Sequence, residues 1–257
     1  MNYTNLFDVK TGFVRGRKAD GSWHTPFDPK ELVWDDYTEA TSWNYTWFVP
    51  HDVPGLIQLI GGDEAFIAKL ETMFAEDSKL LANIPDLTGL IGQYIHGNEP
   101  CHHVAYLYNY AGAPWKTQDR IRQIMTTLYD NTPAGICGND DCGQTSAWYV
   151  LSALGFYPVS PASGVYVIGS PLVDRATIHL DPRHHKGKAF TIVAENNSAQ
   201  NKYIQAATLN GKPLSRTWFT HAELVSGGEL VLKMGPEPNR DWGRAVEDRP
   251  PANAPAH

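Results

Sequence analysis

A mainly helical chain with a smaller β part is the fold class that this sequence predicts, and three observations carry it. Apolar residues recur at helical spacing between residues 37 and 154. Short β-branched and aromatic runs, divided by Gly, Pro and Asn, follow from about residue 160. The 257 residues, 42% hydrophobic and 19% charged, suit one or two folded domains and exclude collagen, coiled coil and intrinsic disorder.

Taken in order, residues 1–35 are turn-rich, with Asp20-Gly21, Pro26 and Pro29 set among single aromatics, and predict irregular structure or short strands. In the helical part, Phe66, Ile67, Leu70, Met73 and Phe74 share one helix face, with Gly61-Gly62 before them. Residues 104–110, 118–129 and 144–154 read the same way. After Gly155-Phe156-Tyr157-Pro158 the pattern changes to β runs at 165–168, 177–180, 190–193 and 230–232, with Asn210-Gly211 as a hairpin turn. The expected organisation is therefore a helical region over 1–159, a small antiparallel β domain over 160–240, and a mobile tail over 241–257, Pro/Ala/Asn-rich from Arg249.

Lys and Arg number 21 against 28 Asp and Glu, a formal charge of −7, and no window gathers the basic residues into a stripe. Phosphate-backbone binding lacks its electrostatic footprint, so nucleic acid is not the expected partner. No apolar run approaches the roughly 18–20 residues needed to cross a bilayer, and the polar residues after Met1 do not read as a signal region. Three cysteines cannot make a disulfide framework.

Three polar clusters beside predicted helices hold the chemistry. The first, from Tyr37 to Phe48, combines Glu39 with Trp43, Tyr45, Trp47 and Phe48. Aromatic faces stack on the C–H face of a pyranose while carboxylates accept bonds from its hydroxyls. The alternative is a helix start, with Thr38 capping, Glu39 in the first turn and the aromatics in the core. The second cluster is His96-Gly97-Asn98-Glu99-Pro100-Cys101-His102-His103. Adjacent His102 and His103 point about 100° apart on a helix and do not suit one zinc ion, and Cys137 and Cys142 lack a second Cys pair. Core and capping histidines are the competing reading. The third is Gly138-Asn139-Asp140-Asp141-Cys142-Gly143-Gln144, where two adjacent carboxylates repel each other and can supply one ionised base, unless Asp141 simply caps the helix that follows. Serine-hydrolase elbows and phosphate-binding glycine loops are absent from the sequence.

Together with Thr11-Gly12-Phe13-Val14-Arg15, Tyr37-Thr38-Glu39 and Trp47-Phe48-Val49-Pro50-His51-Asp52, these words make the chain resemble the glycoside hydrolase family 92 α-mannosidases, in unbroken order from about residue 7 to 180. The resemblance implies a calcium-dependent exo-α-mannosidase that inverts configuration, acting on terminal mannose of glycans such as N-glycans, with an α-1,2 preference suggested by the His-Gly-Asn-Glu-Pro word. It implies an N-terminal β-sandwich followed by an (α/α)6 toroid. Family members are several times longer, so this chain is expected to hold a partial toroid followed by the β domain, lacking the sandwich and the first part of the toroid. Exposed helix faces would then favour self-association or pairing with the missing portion, and a periplasmic or secreted location would follow from the family. By the same resemblance Glu39 is the general acid and Asp141 the general base, with Asp140 its neighbour; His96, Asn98, Glu99, Trp43 and Asn139 contact substrate; and Asn98, Glu99 and His103 are calcium candidates. The rival expectation is an inactive fragment that serves as a glycan-binding or interaction module. Acceptor triplets for N-glycans at Asn2, Asn44 and Asn196 are read as chance.

Overall fold

The computed structural model describes residues 1–79 and 87–251. The chain divides into two compact units, one made of Met1–Val104 with Leu128–Ser146, the other of Ala105–Thr127 with Ala147–His257. The sequence predicts a single boundary near residue 160; in the structure the chain passes between units at 104/105, 127/128 and 146/147. Periodicity marks where the type of secondary structure changes, whereas units are defined by which surfaces pack.

In the first unit, β1 (Phe7–Asp8) and β2 (Phe13–Val14) form a short antiparallel ribbon. Helix α1 is a single turn, Ser42–Tyr45. Helix α2 (Val53–Ile60) starts at Asp52, whose Oδ1 accepts from the Gly55 amide at 3.1 Å, and stops at left-handed Gly61. Helix α3 (Asp63–Ala75) buries Phe66, Leu70, Met73 and Phe74, the stripe that the sequence marks, while Ile67 stays half-buried. Trp47, fully buried, stands edge-on to Phe66 at 5.3 Å and directs its indole N–H to Met73 Sδ at 3.1 Å. A two-residue ribbon, β3 (Leu90–Ile91) with β4 (Tyr94–Ile95), follows.

Residues 104–109 form a 3-10 helix, not the α-helix that their pattern suggests. Helix α4 (Pro114–Thr127) begins earlier than predicted because Pro114 occupies its first position, where a missing N–H costs nothing. Helix α5 (Gln144–Leu154) runs from one unit into the other.

The second unit carries two sheets. The smaller is antiparallel, in the order β11 (Trp218–Thr220), β6 (Val165–Ile168), β5 (Phe156–Tyr157). The larger has the order β10 (Lys212–Pro213), β9 (Tyr203–Leu209), β12 (Gly228–Gly235), β8 (Ala189–Glu195), β7 (Arg175–His179). Its β12–β8 pair is parallel, a departure from the wholly antiparallel domain expected; the other pairs are antiparallel. Asn210 and Gly211, at φ +51° and +76°, make the β9–β10 turn as read from sequence. Period-two burial puts Phe190, Ile192 and Ala194 of β8 with Leu230, Leu232 and Met234 of β12 into one core, where Phe219 meets Phe156 edge-on at 5.3 Å and stacks on Phe190 at 5.6 Å. Helix α6 (His221–Val225) follows β11 directly. Within the expected tail, Trp242 is 9% exposed and donates its indole N–H to the Leu214 carbonyl at 2.9 Å, and the Asp248 carbonyl accepts from Thr217 N at 2.8 Å. Residues 252–257 lie outside the described residues.

One buried ion pair anchors the start of the first unit. Arg15 Nη1 donates to Asp8 Oδ2 at 2.7 Å, with side chains 8% and 5% exposed, and Arg15 Nη2 donates to the His24 carbonyl at 2.6 Å. Burial alone would raise the Asp8 carboxyl; bonds from Arg15, the Lys10 amide and Thr11 outweigh it and hold the group below the usual carboxylate range. The stability that Asp8 supplies is therefore present above the unfolded carboxylate value and is lost as pH falls through the depressed folded value. Arg15→Met, which strands this carboxylate, is expected to cost about 3–5 kcal/mol near neutral pH. Urea titration should show that penalty shrinking on acidification; a penalty independent of pH would contradict the pairing.

Candidate active site

The candidate residues meet in the first unit. Glu39 does not lie in the first turn of a helix: the N-cap of α1 is Thr41, whose backbone N–H donates to Asn44 Oδ1 at 2.9 Å. Glu39 precedes the cap, half-buried between the buried Tyr37 and Ala40, in the left-handed region at φ +52°. Few non-glycine residues adopt that conformation without outside support. Here Asn98, 6% exposed, donates its amide N–H to the Glu39 carbonyl at 2.6 Å, and Tyr45 Oη donates to the Thr38 carbonyl at 3.1 Å. Asn98 thus spends a donor on the main chain of the proposed acid, leaving only part of its amide for a substrate.

Asn98 caps a short 3-10 turn, Glu99–Cys101, which places Glu99 next in line. Glu99 is half-buried, and its carboxyl is pushed above the usual range first by that burial, then by a hydrogen bond with Asp141 and by the charges of Asp141 and Glu39. Glu39, Glu99 and Asp141 therefore belong to one electrostatic cluster. Glu99 therefore retains a proton more readily than an isolated carboxylate does.

The third cluster arrives through a sharply bent loop. Asp141, Cys142 and Gly143 have φ of +45°, +60° and +94°, so three consecutive residues are left-handed. Gly138 permits the approach: a Cβ there would stand 2.7 Å from the Gly97 carbonyl. Any larger residue would part the loop bearing Asp141 from the one bearing Glu99. The helix-start role falls to Asp140, not Asp141: Asp140 Oδ1 accepts from the Ser146 amide at 2.8 Å. Asp141 is left exposed, with its carboxyl free to meet Glu99. Asn139 is exposed too, its carbonyl accepting from Thr145 Oγ1 at 3.0 Å.

The histidines and Trp43 are placed inside. His96, with no exposed surface, sits between Tyr94 Oη at 2.7 Å and Tyr129 Oη at 2.6 Å, so both ring nitrogens are occupied and neither reaches a sugar. Burial, reinforced by His102, drives its pKa well below the usual value. His102 Nε2 donates to the His96 carbonyl at 3.0 Å, which assigns its tautomer and leaves Nδ1 to accept from Gln144 Nε2 at 3.3 Å. Burial lowers it to about 4, partly opposed by the His96 carbonyl and Asp141. His103 donates from Nε2 to the Trp47 carbonyl at 2.8 Å and is likewise held at about 4 by burial. Trp43, 5% exposed, packs edge-on to Phe13 at 4.7 Å in the core and offers no open face to a pyranose. The core reading of these side chains is thus the one the structure adopts.

Of the calcium candidates, His103 Nε2 is committed to a carbonyl and Asn98 Nδ2 to Glu39, which leaves Asn98 Oδ1 and the Glu99 carboxyl as oxygen donors; among the described residues no group of three or more His, Cys, Asp and Glu is placed to hold a metal. Tyr45 and Gln144, which the polar clusters include without a role, brace Thr38 and His102. Those roles depend on contacts between separated loops, which the motif words do not specify. No helix among the described residues is long and apolar enough to cross a membrane.

The chain matches the glycosyl hydrolase family 92 catalytic domain over residues 1–236. It is 41% identical to the family 92 α-mannosidase BT3965 of Bacteroides thetaiotaomicron, solved with mannoimidazole, with a TM-score of 0.89 over 97% of this chain and 33% of that one. It is 42% identical to the inverting mannosidase BT2199 of the same organism, with a TM-score of 0.84 over 98% of this chain and 35% of that one. An uncharacterized secreted glycosidase of Arthroderma benhamiae is 35% identical over 217 residues, 83% of this chain and 26% of the fungal protein. The chain thus spans between a quarter and about a third of the length of these relatives, and with most of its residues matched it belongs to glycosyl hydrolase family 92.

Proposed function

We propose that the protein to which this chain belongs is an exo-α-mannosidase that removes terminal α-1,2-linked mannose from glycans, N-glycans among them, with inversion. The observation that carries the reading is the single cluster of Glu39, Glu99 and Asp141, set in a chain of this family. Its helices would form part of an (α/α)6 toroid. In the proposed reaction Glu39, braced through its carbonyl by Asn98, protonates the glycosidic oxygen. Asp141, on its exposed loop, takes a proton from the water that attacks the opposite face of the ring. Glu99, beside Asp141, contacts the leaving sugar.

The test is release of mannose from α-1,2-mannobiose by the longer protein carrying this segment, with the anomer followed by proton NMR. β-Mannose should appear first; α-mannose first would contradict inversion, and an uncut disaccharide would contradict the hydrolase reading in favour of a binding module. Glu39→Gln and Asp141→Asn should each lower turnover about 10²–10⁴-fold. An aryl mannoside with a good leaving group should partly rescue Glu39→Gln and not Asp141→Asn, since such a group departs without protonation while the attacking water still needs its base. Equal rescue of both would reverse or dissolve these roles, and rescue of Glu99→Gln in place of Glu39→Gln would make Glu99 the acid.

Calcium dependence forms part of the proposal for the longer protein: EGTA should stop mannose release and calcium restore it. Titrating calcium into the 257-residue chain alone should give no stoichiometric heat, because its described residues do not gather a donor set. Strong binding by the chain alone would show a site that these residues do complete. Self-association is also proposed, since Val150 of α5 is 55% exposed and Trp34 59%; light scattering that returned a monomer at all concentrations would count against it.

A further inference from the structure

The second unit carries an open groove of about 370 Å³ lined by Asn210, Arg216, Trp218, Thr220, Glu223 and Ser226, none of them used in the reading above. Strand β11, at the edge of the smaller sheet, supplies Trp218, whose side chain is half-buried. The Arg216 guanidinium lies over the indole at 4.5 Å from the ring centre. It is pinned there: Nη2 donates to Glu223 Oε1 at 2.5 Å, while Glu223 Oε2 accepts from Thr220 N at 2.8 Å and Thr220 Oγ1 at 3.0 Å in the capping box of α6. Burial alone would raise the Glu223 carboxyl, but these bonds outweigh it and hold it below the usual range, so the pair is ionised near neutrality.

The result is a rigid layer of indole and planar cation with a carboxylate beside it, Arg216 and Glu223 side chains 23% and 33% exposed. A helix cap would need only the Thr220–Glu223 bonds; the stacked guanidinium is additional to it. Glu223 offsets the charge of Arg216, and the chain as a whole carries −7, so neither a phosphate nor a polyanion is the favoured guest. A neutral sugar is complementary on each count: its C–H face suits the indole, and vicinal hydroxyls accept from the unused guanidinium N–H groups and donate to the carboxylate. We propose that this groove is a surface glycan site that holds a neutral α-linked mannosyl chain, apart from the carboxylate cluster. The choice of mannose rests on the functional reading above; the groove chemistry does not.

The test is native affinity electrophoresis of the 257-residue chain through gels with soluble α-mannan or with dextran, folding being checked by circular dichroism. Mannan should retard the chain and dextran should not. Trp218→Ala should weaken the retardation about fivefold or more. Should that variant misfold, Arg216→Lys keeps the charge beside Glu223 but loses the planar fork and stack, and should weaken retardation similarly. Asp141→Asn should leave retardation intact, and inorganic phosphate should not compete. The proposal is overturned if mannan fails to retard the wild type, if folded Arg216→Lys migrates like it, if phosphate abolishes retardation, or if Asp141→Asn does. Retardation without mannose release in the longer protein would instead contradict the hydrolase reading alone.

Discussion

Like charges gathered in one place set the terms for the first unit. Glu39, Glu99 and Asp141 come from three separated stretches of chain, and burial first, then the other two charges, raise the cost of ionising Glu99. No protonated histidine relieves the repulsion: the three imidazoles nearest in sequence are buried, and burial keeps them neutral. Relief comes instead from the raised Glu99 carboxyl, which keeps its proton more readily, and from leaving Asp141 open to water.

Holding those carboxylates against repulsion falls to main-chain contacts, which are insensitive to charge. The Glu39 peptide is fixed by Asn98 and flanked by the Tyr45–Thr38 bond. The Asp141 loop is fixed by the absence of a side chain at Gly138, where backbone meets backbone beside Gly97. Asp140 secures the start of α5, so that its neighbour need not. Beneath them, Tyr94, His96 and Tyr129 form a continuous hydrogen-bonded line whose partners are all buried or partly so. His96, His102 and His103 serve as neutral struts, a use that a dense His-rich word does not announce.

The second unit is organised by a different constraint, the two-residue period of its strands. One face of β8 and β12 fills the core while the other remains partly open, and the ring cluster around Phe219 ties the smaller sheet to that core. The polar, half-exposed surface by β11 is then free to vary without disturbing the interior, which is where the Trp218–Arg216 layer sits.

Much of this was legible beforehand. The stripe of α3, the extent of α5, the strand at 165–168 and the Asn210-Gly211 turn follow from periodicity and turn chemistry, both written in residues a few positions apart. The motif words named Glu39, Glu99 and Asp141 and the family. Strands β9 and β11 were missed because their mixed burial leaves no clean alternation, and α1 proved to be one turn where a longer helix was read. Tertiary structure alone decided that Asp140 caps, that Trp43, His96 and His103 lie inside, and that Asn98 grips the Glu39 backbone. A local pattern specifies how a segment folds, but a hydrogen bond between residues 59 positions apart exists only once two loops have packed. The sequence by itself therefore determined the elements and the chemical vocabulary of the site, and packing determined which of those groups remain free to react.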